Sequence, residues 1–220
     1  MKRYSQHGCY HEDNFYGMLS HLGKAVVCAL ALTICVSQSN AQSSGSATAM
    51  DGRVSPTLRT QVMLLVDSAV AAGLPSAPLI DKALEGVSKG ASERRILTAV
   101  RNVVVALGEA QRALGTVSND ELTAAAAALR AGVPATALVG LQRSLAGRSL
   151  VVPLSVLSAL VVQGVTPPAA TTAVVAYAKH NNDGQMLAYG RDIVREIAEG
   201  MDPQIAAMAD PGSLHGKPKP

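Results

Sequence analysis

Aromatic residues and cysteines are scarce in this chain of 220 residues, and most of the few present lie near its start. The sequence has no tryptophan, one phenylalanine and five tyrosines, and only Tyr177 and Tyr189 follow residue 41. Its three cysteines, Cys9, Cys28 and Cys35, all precede residue 41. From residue 42 onward, the composition therefore excludes disulfides, thiol catalysis and cysteine metal ligands.

A concentration of positive charge is also missing. From residue 42 onward there are 16 basic and 14 acidic residues. Proteins that bind nucleic acids depend on clustered Lys and Arg, and many add aromatic side chains on which bases stack. We therefore expect no nucleic-acid partner.

Motifs of common enzyme classes are absent as well. The sequence contains neither Gly-x-Ser-x-Gly nor Gly-x-Gly-x-x-Gly, which position a nucleophilic serine and a dinucleotide phosphate respectively. We predict no catalytic residue, no cofactor and no metal site, and hence a protein that is not an enzyme.

The first 41 residues have the features of an export signal. Ala25–Val36 is an apolar run of 12 residues, too short for a typical membrane span, and Ser39 and Ala41 are small residues suited to signal cleavage. We predict a signal peptide at 1–41, cleavage after Ala41, and a periplasmic or extracellular protein with no permanent membrane span. Met18 is a candidate true start, since it would give a leader of ordinary length. The alternative is an uncleaved signal anchor in the inner membrane.

The remaining chain divides by composition into three parts. Residues 42–54 are small and polar and predict a flexible linker, and residues 210–220 contain too much Pro, Gly and Lys to pack, which predicts a disordered tail. Between them, residues 55–209 have apolar side chains at helical spacing, and we assign them to one α-helical domain.

Helical periodicity recurs throughout residues 55–209. In the clearest segment, Ile96, Leu97, Val100 and Val103 share one face. Ser118 and Glu121 have the spacing of a capping box. Residues 149–164 are apolar nearly all round, which predicts the most buried helix. The predicted helical segments are 55–73, 77–90, 92–115, 118–132, 134–146, 149–164, 166–180, 184–200 and a short one from Asp202.

Glycine followed closely by Pro, Thr or Asp marks several helix junctions, at Gly73, Gly132, Gly164 and Gly200. At the third junction, Thr166 is expected to cap the following helix. The last three glycines are 32 and 36 residues apart, a spacing typical of two-helix repeats. We predict an all-α fold of short antiparallel helices stacked as a solenoid-like array, and an irregular helical bundle is the alternative.

Two pairs of polar residues are weak candidates for a functional site. His180 and Asp183 could form a base or a metal site, although a histidine at a helix end also has a simple structural role. Arg94 and Arg95 at a helix start could hold a phosphate, although they also suit an exposed surface.

Residues 73–103 resemble a class of exported bacterial proteins that has no assigned activity. The similarity lies in Gly-Leu-Pro, in "PLIDKALEG" and in "KGASERRILTAV". It implies a bacterial exported protein and brings no functional residues with it.

These features together predict a protein that acts by contact in the cell envelope, as a scaffold or assembly factor with a protein partner. The alternative is a carrier whose aliphatic helices enclose an apolar small molecule or lipid, for which a cavity near Val151–Val162 would be expected.

Overall fold

A computed structural model describes residues 54–209, and the regular structure in this range is entirely α-helical. Helices make up 76% of these residues, so the predicted all-α fold is confirmed. The expectations for the leader with its cleavage at Ala41, for residues 42–53 of the linker and for the tail lie outside the described residues. The helices of the described part are α1 Pro56–Ala71, α2 Ala77–Ser88, α3 Glu93–Leu114, α4 Asn119–Arg130, α5 Ala135–Ser144, α6 Val151–Val162, α7 Pro167–Ala178, α8 Asp183–Ala198 and α9 Pro203–Met208.

The glycine junctions share one backbone geometry. At the end of α4, Gly132 has φ +100°, a region that favours glycine because it has no Cβ. The N–H of Val133 then donates to the carbonyl of Ala128, and the Val133 side chain is buried. This is a Schellman motif, which satisfies carbonyls that a helix end leaves unpaired. The same bond pattern follows Gly73, Gly90, Gly164 and Gly200.

The hydroxyl of Thr166 does not make the capping bond that the sequence predicts. Thr166 is the N-cap residue of α7, but its hydroxyl makes no capping bond to that helix. The hydroxyl and the N–H of Thr166 instead donate to Oε1 of Gln204, at 3.0 and 3.3 Å. Gln204 Nε2 donates in turn to the carbonyl of Gly164 at 3.1 Å. A side chain from α9 thus completes the junction between α6 and α7.

Extensive packing joins helices that are one or two positions apart along the chain. α3 packs against α1, α2, α4 and α5, and α6 packs against α4, α7 and α8. Helices stacked as an array have contacts of this local order. The predicted two-helix repeat remains a prediction, as does the alternative of an irregular bundle.

The core consists largely of aliphatic side chains and is well developed around α6. Five of the 12 residues of α6 are buried, and Leu154, Leu157 and Leu160 are fully inaccessible. Val162, the last residue of α6, is 65% exposed. Helical spacing along residues 55–73 places Val70 on the apolar face of that segment, and this assignment is wrong. Val70 in the last turn of α1 is 54% exposed, since α1 has extensive contacts with α2 and α3 alone.

α6 and α8 approach each other closely at a glycine. A Cβ added to Gly190 would lie 2.9 Å from Cγ1 and 3.1 Å from Cγ2 of Val156. Real Cβ contacts are longer than this, so the close approach of the two helices requires glycine at this position.

Glu121 links the starts of α4 and α6. Its Oε2 accepts hydrogen bonds from the N–H and the hydroxyl of Ser118, which confirms the predicted capping box. Its Oε1 accepts from the N–H of Leu150 at 3.0 Å, 29 residues further on. Burial raises the pKa of Glu121, but the bonds from Leu150 and Ser118 outweigh burial, and the net pKa lies below its ordinary value of 4.5.

This lowered pKa predicts a pH-dependent stability. The contribution of the Glu121 carboxylate is fully present above pH 4.5 and is lost as the pH falls through the folded-state pKa. We expect Glu121→Gln to lower the free energy of unfolding at pH 7 by about 1–2 kcal/mol, because the amide loses charge-assisted bonds. The difference from the unmodified chain should shrink at pH 3. Urea unfolding at both pH values measures this.

Glu199→Gln is the matched control, since Glu199 is exposed at the end of α8. Hydrogen bonds from Lys82 and Lys89 lower the pKa of Glu85 to about 2. Glu85 is present in every variant, so its effect on the stability at low pH cancels when the variants are compared. An equal effect of both substitutions, or a difference that persists at pH 3, would contradict the linking role of Glu121.

Candidate functional site

An open groove lies between α7 and α9. Its volume is about 760 Å³, and its wall along α7 consists of small side chains with one tyrosine. The residues of this C-terminal groove include Ala169, Thr172, Ala173, Ala176 and Tyr177 of α7, Tyr189 of α8, and Gln204, Ala207 and Met208 of α9.

The groove exists because α9 is short. α9 has six residues and α7 has 12, so at 1.5 Å per residue α9 is about half as long as α7. The groove wall along α7 is largely apolar. On the other wall, Met208 is 75% exposed. Ile205 of α9 does not line the groove and is 63% exposed.

Tyr177 and Tyr189 form a stacked pair at the groove. Their ring centroids are 4.1 Å apart and the ring planes differ by 7°. The hydroxyl of Tyr189 donates to the carbonyl of Ala207 at 3.3 Å and so holds α9 against α8. Burial, with a smaller contribution from Tyr177, raises the pKa of Tyr189 above 10.0. The hydroxyl therefore stays protonated and serves as a hydrogen-bond donor at neutral pH.

The sequence identifies both tyrosines as the only aromatic residues after residue 41, but it does not predict that they form a pair. They lie on different helices, 12 residues apart, and no periodic pattern links such positions. Two isolated aromatics in an otherwise aliphatic chain are nevertheless a signal, because an aromatic pair adds stability beyond the burial of its area.

His180 and Asp183 lie at the junction between α7 and α8. His180 is exposed just after α7, and Asp183 is the exposed first residue of α8. Arg148 binds this helix end, because its guanidinium donates to the carbonyls of Ala178 and, at 2.8 Å, Asn181. Among residues 54–209, no cluster of three or more His, Cys, Asp or Glu side chains could hold a metal ion.

Arg94 and Arg95 lie exposed in the first turn of α3. Their neighbour Glu93 accepts a hydrogen bond from the hydroxyl of Ser55 and places a carboxylate at the same helix end. A carboxylate there opposes the binding of a phosphate. The side chain of Ser92, the N-cap residue, makes no capping bond.

No family model, no curated protein and no solved structure matches the chain. This agrees with the expectation that its resemblance to exported proteins leads to no characterised family. None of the helices in the described residues is both long enough and apolar enough to cross a bilayer.

Proposed function

We propose that this chain is an exported protein of the cell envelope that acts by contact, as a scaffold or assembly factor without catalytic activity. The leader, with cleavage after Ala41, accounts for export, and the C-terminal groove is the contact surface. The observation that supports this most directly is the groove itself, where α9 leaves an apolar wall of α7 uncovered beside a tyrosine pair.

Three properties of the groove suit a protein partner. It is open along its length, so that a partner can enter without a rearrangement of α7. Tyrosine is enriched among the residues that dominate binding energy at interfaces, and Tyr177 is half-buried and faces the groove. Ala173 and Ala176 are small enough to allow a partner backbone to approach closely.

A second candidate function is transport of an apolar small molecule. The groove volume falls within the range of about 300–1,000 Å³ that is typical of ligand pockets. Its location differs from the one expected for a carrier, since residues of α6 do not line it. Leu154 and Leu157 of α6 pack against neighbouring helices and are fully buried.

A charge placed in the groove tests the contact surface. Ala176→Asp puts a carboxylate on the exposed groove wall. A partner would have to bury this charge unpaired, which costs several kcal/mol. We therefore expect the amount of partner recovered with the chain to fall at least about tenfold. The measurement is cross-linking in periplasm, affinity recovery of the tagged full chain, and quantitative mass spectrometry.

Ala127→Asp is the matched control, because Ala127 is likewise an exposed alanine close to a helix end, on α4. The proposal requires a partner that the unmodified chain and Ala127→Asp recover equally and that Ala176→Asp loses. Equal recovery by both variants would exclude the groove as the contact surface. A lipid that co-purifies without any protein would favour the carrier.

A further inference from the structure

α9 is attached by few apolar contacts. It has six residues, and a helix of this length is not stable alone in water, so its folding depends on its neighbours. Its buried side chains are the methyl groups of Ala206 and Ala207, whereas Ile205 and Met208 are exposed. α6, in contrast, is anchored by fully buried leucines. α9 is therefore the element of the described chain that has the least apolar burial to lose on detachment.

The polar attachments of α9 are concentrated at two points. Gln204 bonds Thr166 and Gly164 at an exposed position, where water competes for the same groups. Tyr189 donates its buried bond to the carbonyl of Ala207. Detachment of α9 would free this hydroxyl and expose the Tyr189 ring, which is now 5% accessible.

We infer that α9 is a detachable strap that opens as a unit while α6, α7 and α8 remain packed. Opening extends the C-terminal groove over the surface that α9 covers. That surface already accepts a short helix with an amide side chain near its start, two adjacent alanines and, near its end, a carbonyl that accepts the bond from Tyr189. The partner class that it fits is a helical segment with these features, and α9 acts as a built-in competitor. This partner assignment rests on the proposed function, whereas the opening of α9 does not.

Hydrogen exchange of the full chain tests the opening without any partner. The amides of Ala206, Ala207 and Met208 should exchange by local opening, at rates well above those of Leu157 and Leu160 in α6. Gln204→Ala should accelerate the α9 amides about tenfold, because it removes the bonds to Thr166 and Gly164, and should leave the α6 amides unchanged.

Gln163→Ala is the control, since Gln163 is an exposed glutamine beside the same junction. Its exchange rates should equal those of the unmodified chain. The strap is excluded if the α9 amides exchange only through global unfolding, together with the α6 amides, or if both variants behave alike. Neither result bears on whether the groove binds a partner, which the pull-down with Ala176→Asp decides separately.

A synthetic peptide of residues 202–209 tests the partner class. Added in excess to the full-length Gln204→Ala chain, it should shift the methyl NMR signals of Ala173 and Ala176 more than in the unmodified chain, because the strap then competes less well. Unchanged signals in both proteins would overturn the assignment of a helical partner, even if α9 opens.

Discussion

Leu157→Ala is expected to lower the free energy of unfolding by about 2–5 kcal/mol. Leu157 is fully buried on α6, and α6 packs extensively against α4, α7 and α8, so the lost side chain leaves a cavity bounded by several helices. The described residues contain no cysteine, so no disulfide can offset the loss there. Because stabilities of 5–15 kcal/mol are typical of whole domains, this is a large fraction of the total. Urea or thermal unfolding followed by circular dichroism measures it.

Val162→Ala supplies the control within the same helix. Val162 is 65% exposed, so its truncation should change the stability by less than about 0.5 kcal/mol. A cost below about 1 kcal/mol for Leu157→Ala, or similar costs for the two variants, would show that α6 is not enclosed by its neighbours.

Gly190→Val is expected to destabilise the protein by about 2–3 kcal/mol. Its Cβ alone would lie within 3.1 Å of both methyl carbons of Val156, so α6 and α8 would have to separate. Overpacking of this kind typically costs about 1–3 kcal/mol, and the gain in helix propensity from glycine to valine is only a few tenths. Equilibrium unfolding in urea gives the change in free energy.

The cause of this loss is testable by a double substitution. Val156→Ala removes the methyl carbons that Gly190→Val would meet, so the two changes together should cost at least about 1 kcal/mol less than their sum. Gly108→Val is the matched control, since an added Cβ at Gly108 in α3 meets no atom within 4 Å. It should change the stability by about 0.5 kcal/mol or less. Additive costs at Gly190 and Val156 would refute the steric explanation.

Local patterns in the sequence predicted the helices well, because each helix depends on interactions between residues that are close together along the chain. Apolar side chains at Ile96, Val100 and Val103 recur at helical spacing, and all three are buried. Gly132 and Gly164 end helices by a geometry that involves only the preceding turn and the next residue. The capping box of Ser118 and Glu121 is likewise complete within four residues.

Contacts between distant residues could not be predicted in this way. Gln204 binds the hydroxyl of Thr166 from 38 residues away, and Arg148 binds the end of α7 from 30 residues before Ala178. No periodicity encodes such pairings, since they depend on how whole helices dock. The groove was missed for the same reason. It arises from the short length of α9 relative to α7, and from the side of α7 on which α9 lies.

The neighbour-to-neighbour packing of the helices has a consequence for how the chain folds. Because extensive contacts join helices at most two positions apart, most of the loops that must close contain one helix or none. We therefore expect nucleation to need only a few adjacent helices, and structure to spread from them in both directions. Under denaturing conditions we expect α1 and α9 to unfold early and α6, with its fully buried leucines, to be among the last helices to unfold.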